Sequence, residues 1–195
     1  MNCLLTEKLP RTVRINGKDV SINTDFRASI EFELIMQDDM LTDEEKLIRA
    51  LTLYYDHIPD NISDALEKCL WFYLCGNVAK KQKSSKVLYR FDVDSEYIYS
   101  AFLTQYKIDI MELPYMHWWK FRSLFIGLGE GTEFTKILGY RAIEISGKMT
   151  NEQKRFYKKM KERYKIPMSE KKSKLVRDVE EALLSGGDLR QILQR

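Results

Sequence analysis

Long apolar runs are missing from this 195-residue chain. The longest strongly apolar run, Leu70 to Cys75, is far shorter than the roughly 20 residues that a membrane-spanning helix requires. Met1 to Pro10 lacks a basic segment followed by a long apolar stretch, so we expect no secretory signal and no membrane partner. A charged fraction of 31% is typical of a soluble globular protein.

Histidine and cysteine, two of the common metal ligands, are also rare. The two histidines, His57 and His117, have no Cys, His or carboxylate neighbour at the spacing of a zinc motif. There are three cysteines, and Cys69 and Cys75 would point to different sides of one helix. We therefore expect no metal site, and free thiols in a reducing compartment.

Motifs for reaction chemistry are absent as well. Residues 92–96 begin like a calcium loop but lack its later glycine and glutamate, so first-turn acids of a helix explain them better. Gly127, Gly129 and Gly131 follow a helical pattern and precede no Lys-Ser/Thr pair, which favours a loop between helices. No nucleophile motif is present. We expect no enzyme and no cofactor.

Aromatic residues are concentrated between residues 96 and 143. Helical spacing places apolar residues on two faces of one helix in this block: Trp118, Phe121, Phe125 and Leu128 on the first, and Tyr115, Trp119 and Ile126 on the second. A helix that is apolar nearly all round is either the buried centre of a domain or the floor of a partner-binding groove.

The chain as a whole predicts one hairpin followed by helices. Asn16-Gly17 between two β-branched segments indicates a type I′ turn. Helices are predicted at 26–37, 44–55, 63–77, from a cap at Asp94 or Ser95 to 106, from a first turn at Pro114 to 128, and at 133–145, 151–164, 170–184 and from 188. The expected fold is mainly α, a single helical domain of about seven to nine helices with a small N-terminal β-hairpin.

Three details of this prediction concern side chains and loops. Leu66, Leu70 and Leu74 would form the inner stripe of the third helix. Thr42 would open the second helix with a capping box. The polar, charged run from Lys80 to Lys86 favours an exposed loop.

Positive charge is concentrated towards the C-terminus. Residues 148–177 contain twelve Lys or Arg against three Glu, although the net charge of the whole chain is only +3. We therefore divide the chain into 1–147, the hairpin plus helical core, and 148–195, a basic helical extension packed on or projecting from that core. The uneven charge also favours head-to-tail self-association.

The basic helix at 151–164 has two interpretations. Phe156, Met160 and Tyr164 recur every four residues as a packing stripe, which leaves Lys158 and Lys159 among the exposed cations. These cations are either solvated side chains on an amphipathic helix or contacts to an anionic partner, which would be nucleic acid or an acidic protein surface.

Four segments carry a resemblance to a known family: Tyr97-Ile-Tyr, Gln105-Tyr-Lys-Ile-Asp-Ile, His117-Trp-Trp-Lys-Phe-Arg and Gly139-Tyr-Arg. In these segments the chain resembles the gene-product-fifteen family of Gram-positive tailed phages and prophages. Members are encoded beside the tape-measure gene, where long-tailed phages encode tail assembly chaperones. The resemblance implies a non-enzymatic assembly factor in the cytoplasm of the bacterial host. Its expected partners are the tape-measure protein and, as a second candidate, tail tube subunits.

A helical client would need apolar anchors and a charged rim. The candidate partner-binding residues are Tyr97, Tyr115, Trp119, Lys120 and Arg122. Core packing is the alternative, which is favoured for Trp118 and evenly balanced with client binding for Tyr115 and Trp119. Arg141 either pairs with a buried carboxylate such as Glu144 or contacts the partner.

Overall fold

The structure, a computed structural model, describes residues 6–77 and 87–167. In chain order its elements are β1 (Thr12–Ile15), β2 (Lys18–Ser21), α1 (Phe26–Gln37), α2 (Asp43–Tyr54), α3 (Ile62–Tyr73), α4 (Phe91–Tyr106), α5 (Trp118–Ile126), α6 (Glu133–Ala142) and α7 (Asn151–Arg163). The predicted mainly α fold with an N-terminal hairpin is confirmed. The predicted loop at 80–86 and the predicted helices at 170–184 and from 188 lie outside the described residues. Within the described ranges, no helix is long and apolar enough to cross a membrane.

Local sequence signals account for where several elements begin. Asn16 and Gly17 have φ angles of 48° and 76°, as the type I′ turn between β1 and β2 requires. The Asp25 side chain caps α1, Thr42 forms the predicted capping box at α2, and Thr132 caps α6. These short polar side chains satisfy backbone N–H groups that the first helical turn leaves without partners.

The starts of α4 and α5 differ from the prediction. α4 begins at Phe91, so the predicted cap at Asp94 or Ser95 is wrong. Asp94 lies one turn inside the helix, where its carboxylate accepts a hydrogen bond from a backbone N–H at the helix start. α5 begins at Trp118, because the residue before it supplies the side-chain cap, and Pro114 therefore precedes the helix.

The buried face of α3 also differs from the prediction. Ala65, Cys69 and Phe72 are buried, whereas Leu70, predicted to face inwards, is 43% exposed. The second half of α3 is apolar on every side, so periodicity alone could not decide its orientation. Burial of the large Phe72 ring removes more apolar surface from water than burial of a leucine.

The core is built around Phe121 of α5, which is fully buried. Its ring stacks on Phe26 of α1, with centroids 4.6 Å apart, and on Phe102 of α4 at 5.0 Å. Trp118, on the same face of α5, lies 5.8 Å from the Phe121 ring. This contact set joins α1, α4 and α5 in one hydrophobic core.

α7 packs on α6, but its stripe is rotated from the predicted one. Met160 and Tyr164 are half-buried as predicted, together with Tyr157, whereas Phe156 is 49% exposed. The Tyr164 ring stacks on Tyr140 of α6, with centroids 5.9 Å apart. The Phe156 side chain is therefore partly exposed at the surface of α7.

Candidate partner-binding groove

An open groove of about 760 Å³ lies between the chain before β1, the connection from α4 to α5, and the first turn of α5. Its apolar lining consists of Leu9, Ile108, Leu113, Tyr115 and Met116. Its polar lining consists of Lys8, Arg11, His117 and Lys120. We call this site the Tyr115 groove.

His117 holds one wall of the Tyr115 groove in place. Its Nδ1 accepts a hydrogen bond from the backbone N–H of Trp119 at 3.1 Å, which caps α5. The other ring nitrogen, Nε2, therefore carries the proton and donates to the carbonyl oxygen of Pro10 at 2.9 Å. Burial lowers the pKa of His117, and the charge of Arg11 lowers it further. The neutral ring thus ties the N-terminal segment to α5.

The segment before α1 fixes the other end of the same wall. The backbone N–H of Trp118 donates to the carbonyl oxygen of Thr24 at 2.8 Å. The backbone N–H of Phe26 donates to the carbonyl oxygen of Met116 at 2.9 Å. The hydroxyl groups of Thr24 and Tyr115 share a hydrogen bond of 2.7 Å. This bond holds Tyr115 by its polar end and leaves the side chain 42% exposed at the groove.

The charge around the Tyr115 groove has one sign. Lys8, Arg11 and Lys120 are exposed at its rim, and no acidic residue of the described chain lines it. The guanidinium carbon of Arg11 lies 5.9 Å from the centre of the Tyr115 ring. An apolar floor with a cationic rim can accept an amphipathic segment that carries acidic residues beside its apolar face.

Two of the predicted partner-binding residues, Tyr115 and Lys120, meet in this groove. The other groove residues were not identified from the sequence. Leu9 and Lys8 lie at the groove beside Pro10, whose carbonyl oxygen accepts a hydrogen bond from His117, 107 positions away in the sequence. No local pattern could have indicated that contact.

Trp119 does not belong to the exposed surface, which corrects its assignment as a partner-binding residue. It is 4% exposed, and its Nε1 donates to the carbonyl oxygen of Phe72 at 2.8 Å. The neighbouring Trp118 donates from Nε1 to the carbonyl of Tyr73, also at 2.8 Å. Both indoles therefore bind carbonyl groups at the C-terminal end of α3, where helical N–H partners run out.

Arg122 does not line the Tyr115 groove. Its positive charge lowers the pKa of the Cys75 thiol and of the Glu33 carboxyl group, against the larger effect of burial. Burial raises the pKa of Glu33, although hydrogen bonds from Tyr73 and Gln37 and the charge of Arg122 oppose that rise. Arg122 thus belongs to a polar cluster between α1, α3 and α5.

Arg141 is a structural residue, 5% exposed. It pairs with Asp94 rather than with Glu144: its Nη1 and Nη2 donate to the two carboxylate oxygens at 2.7 and 2.9 Å. Its Nε also donates to the carbonyl of Tyr164 at 2.6 Å, which joins α4, α6 and the end of α7. Tyr97 lies in the same region, half-buried, with its ring 6.3 Å from that of Tyr164.

Lys158 and Lys159 are exposed on α7 and lie outside the lining of the Tyr115 groove. The structure therefore separates the predicted residues into a groove pair, a buried or half-buried set and a basic helix. In the described residues, no group of three or more His, Cys, Asp or Glu side chains could hold a metal ion.

Comparison with known proteins supplies one match. The family model described as Bacteriophage Gp15 protein matches residues 5–166, which is most of the chain. No curated protein and no solved structure gives a significant match. The family resemblance inferred from the sequence segments is therefore confirmed.

Proposed function

The chain belongs to the Bacteriophage Gp15 protein family, and from that premise we propose that it is a non-enzymatic tail assembly chaperone. It binds an amphipathic helix of the tape-measure protein in the Tyr115 groove and keeps this client soluble during tail assembly. The observation that carries the proposal is the lining of the groove: an apolar floor bordered by three cations, with no acidic residue from the described chain.

The Tyr115 groove and an amphipathic client helix would complement each other in apolar area and in charge. A tape-measure protein is a very long helical chain whose apolar stripes need cover until the tail tube encloses them. Tyr115, Leu113 and Ile108 offer apolar area for such a stripe. Lys120 and Arg11 would pair with acidic residues beside the stripe, which speeds encounter and sets orientation more than it adds affinity.

The test is co-expression of the chain with the tape-measure protein, followed by measurement of the soluble client and of complex capture. Tyr115→Ala should weaken binding by about 1–2 kcal/mol, roughly 5- to 30-fold, because it removes a central anchor. Lys120→Glu should slow association and change its salt dependence. Ile126→Ala is the matched control, since Ile126 is 71% exposed on α5 and does not line the groove.

Equal client capture by all of these variants, with folding verified by thermal melting, would rule out the groove as the binding site. Tail tube subunits, the second candidate client, are tested in the same assay. Solubilisation of the tube subunit alone would move the proposal from the tape-measure protein to the tube.

Nucleic-acid binding through α7 is the second candidate function. The observation in its favour is the exposed Phe156 ring, which contacts Tyr157 and Tyr140 and lies among exposed cations such as Lys158 and Lys159. Retention on immobilised DNA across a salt series tests it, because phosphate contacts give a steep salt slope. In that case Lys158→Gln/Lys159→Gln should lose retention, and Tyr115→Ala should retain it.

A further inference from the structure

The connection from α1 to α2 exposes methionine among carboxylates. Met40 is 69% exposed and Met36 is 37% exposed. Residues 37–45 contain five acidic residues and no Lys or Arg. Two cations lie nearby: Arg90, which pairs with Asp92, and Lys46, whose ammonium donates to the Met36 carbonyl oxygen at 3.3 Å. We call Met36, Met40, Asp38, Asp43 and Glu44 the acidic methionine surface.

Local helix stability accounts for only part of this charge. Asp43 and Glu44 lie in the first turn of α2, where the helix dipole favours negative charge. Asp38 lies instead at the C-terminal end of α1, where the dipole disfavours it. Its carboxylate accepts a hydrogen bond from the Met40 backbone at 2.8 Å, but a neutral asparagine could accept the same bond.

A polar atom beside this surface also lacks a donor. A groove of about 360 Å³ borders Met40, and Gln37 contributes to its lining. The Oε1 atom of Gln37 is buried and accepts no hydrogen bond within the described chain. Because that atom is buried, a docking partner does not reach it, and it is the carboxylates in the groove lining that favour a positively charged partner.

α7 carries the complementary features. Its thirteen residues, Asn151–Arg163, include six Lys or Arg and two Glu. Arg155, Lys158 and Lys159 make no ion pair with any described residue. Phe156 is 49% exposed and lies three residues before Lys159 on the same side of the helix, so that side combines an apolar anchor with a cation.

We infer that α7 of one copy docks on the acidic methionine surface of a second copy. Phe156 packs against Met40, a thioether–aromatic contact, while Lys159, three residues further along the same side of α7, faces Asp43 and Glu44. Pairing of α7 with α7 would bring like charges together, so a symmetric contact through this helix is disfavoured. Because the two surfaces differ, the contact repeats head to tail and gives a ring or an open chain of copies.

Sedimentation velocity of the full-length chain tests this arrangement. Three paired variants are compared with the wild type: Met40→Ser/Glu44→Gln on the acidic surface, Phe156→Ser/Lys159→Gln on α7, and the control Ile126→Ser/Lys18→Gln at exposed positions elsewhere. The wild type and the control should form assemblies that grow with protein concentration and shrink with salt. Each surface variant alone should sediment as a monomer.

Mixing the two surface variants gives the decisive result. Only one intact pair of surfaces remains in that mixture, so the expected product is a one-to-one complex and nothing larger. A wild type that stays monomeric at low salt, a surface variant that still assembles, or a mixture without the one-to-one complex would overturn the inference. Loss of DNA retention by the α7 variant with self-association unchanged would also overturn it and would assign α7 to nucleic acid.

Discussion

Replacing Trp119 with alanine should destabilise the fold itself. Trp119 is 4% exposed, and its indole packs against Trp71, with ring centroids 5.6 Å apart, and against Phe72. Its Nε1 also donates to the carbonyl of Phe72. The variant therefore removes a large apolar group and a hydrogen bond at the end of α3.

The expected cost follows from these two losses. Removing a buried tryptophan side chain costs about 3–5 kcal/mol. The lost hydrogen bond adds about 1 kcal/mol. This addition is small because the Phe72 carbonyl keeps a second bond, from the backbone N–H of Cys75 at 3.0 Å. With a urea m-value of about 2 kcal/mol/M, the unfolding midpoint should fall by roughly 2–3 M.

Urea unfolding followed by circular dichroism measures this shift. Tyr115→Ala is the matched control, because Tyr115 is 42% exposed and loses mainly one hydrogen bond, which costs about 0.5–1.5 kcal/mol. The unfolding midpoint of Trp119→Phe should lie between those of Trp119→Ala and Tyr115→Ala, since phenylalanine keeps most of the apolar volume. A Trp119→Ala variant that unfolds at the wild-type midpoint would refute the assignment of Trp119 to the core.

Four further variants test three buried polar sites. Asp94→Ala should cost about 3–5 kcal/mol by leaving Arg141 as an uncompensated buried charge, and Asp94→Leu/Arg141→Met should recover part of that loss in urea unfolding. Burial lowers the pKa of His117 in the folded protein. Its neutral ring therefore stabilises the fold above the ordinary pKa of 6.5, and this stability is lost as the pH falls through the pKa of the folded state. His117→Gln should therefore melt at a temperature that depends less on pH in the acidic range, and an unchanged dependence would contradict the pKa shift. Burial raises the pKa of Glu33 in the folded protein. The protonated carboxyl group therefore stabilises the fold below the ordinary pKa of 4.5, and this stability is lost as the pH rises through the pKa of the folded state. Glu33→Gln should remove this loss in a pH series of thermal melts.

Local chemistry made much of the fold predictable from the sequence. The Asn16-Gly17 turn and the Thr42 capping box depend on residues within a few positions of one another, and the structure confirms both. α1 runs from Phe26 to Gln37, as its periodicity predicted. Signals of this kind need no knowledge of the tertiary arrangement.

The remaining features depend on distant contacts. Trp119 was evenly balanced between core and surface because its burial depends on α3 carbonyls that lie 47 positions earlier in the chain. The Asp94 to Arg141 pair also spans 47 positions, so neighbouring Glu144 was the more obvious candidate in sequence. The Tyr115 groove needs the N-terminal segment beside α5, and only the folded chain brings them together.

Site-specific photo-crosslinking shows directly whether a helical client lies in the Tyr115 groove. A photoreactive amino acid replaces Tyr115 in one protein and Ile126 in another, and each is co-expressed with the tape-measure protein and irradiated. We expect a crosslink from position 115, mapped by mass spectrometry to an amphipathic helix with acidic residues beside its apolar stripe, and little crosslinking from position 126. No crosslink from position 115, or equal crosslinking from both positions, would contradict it.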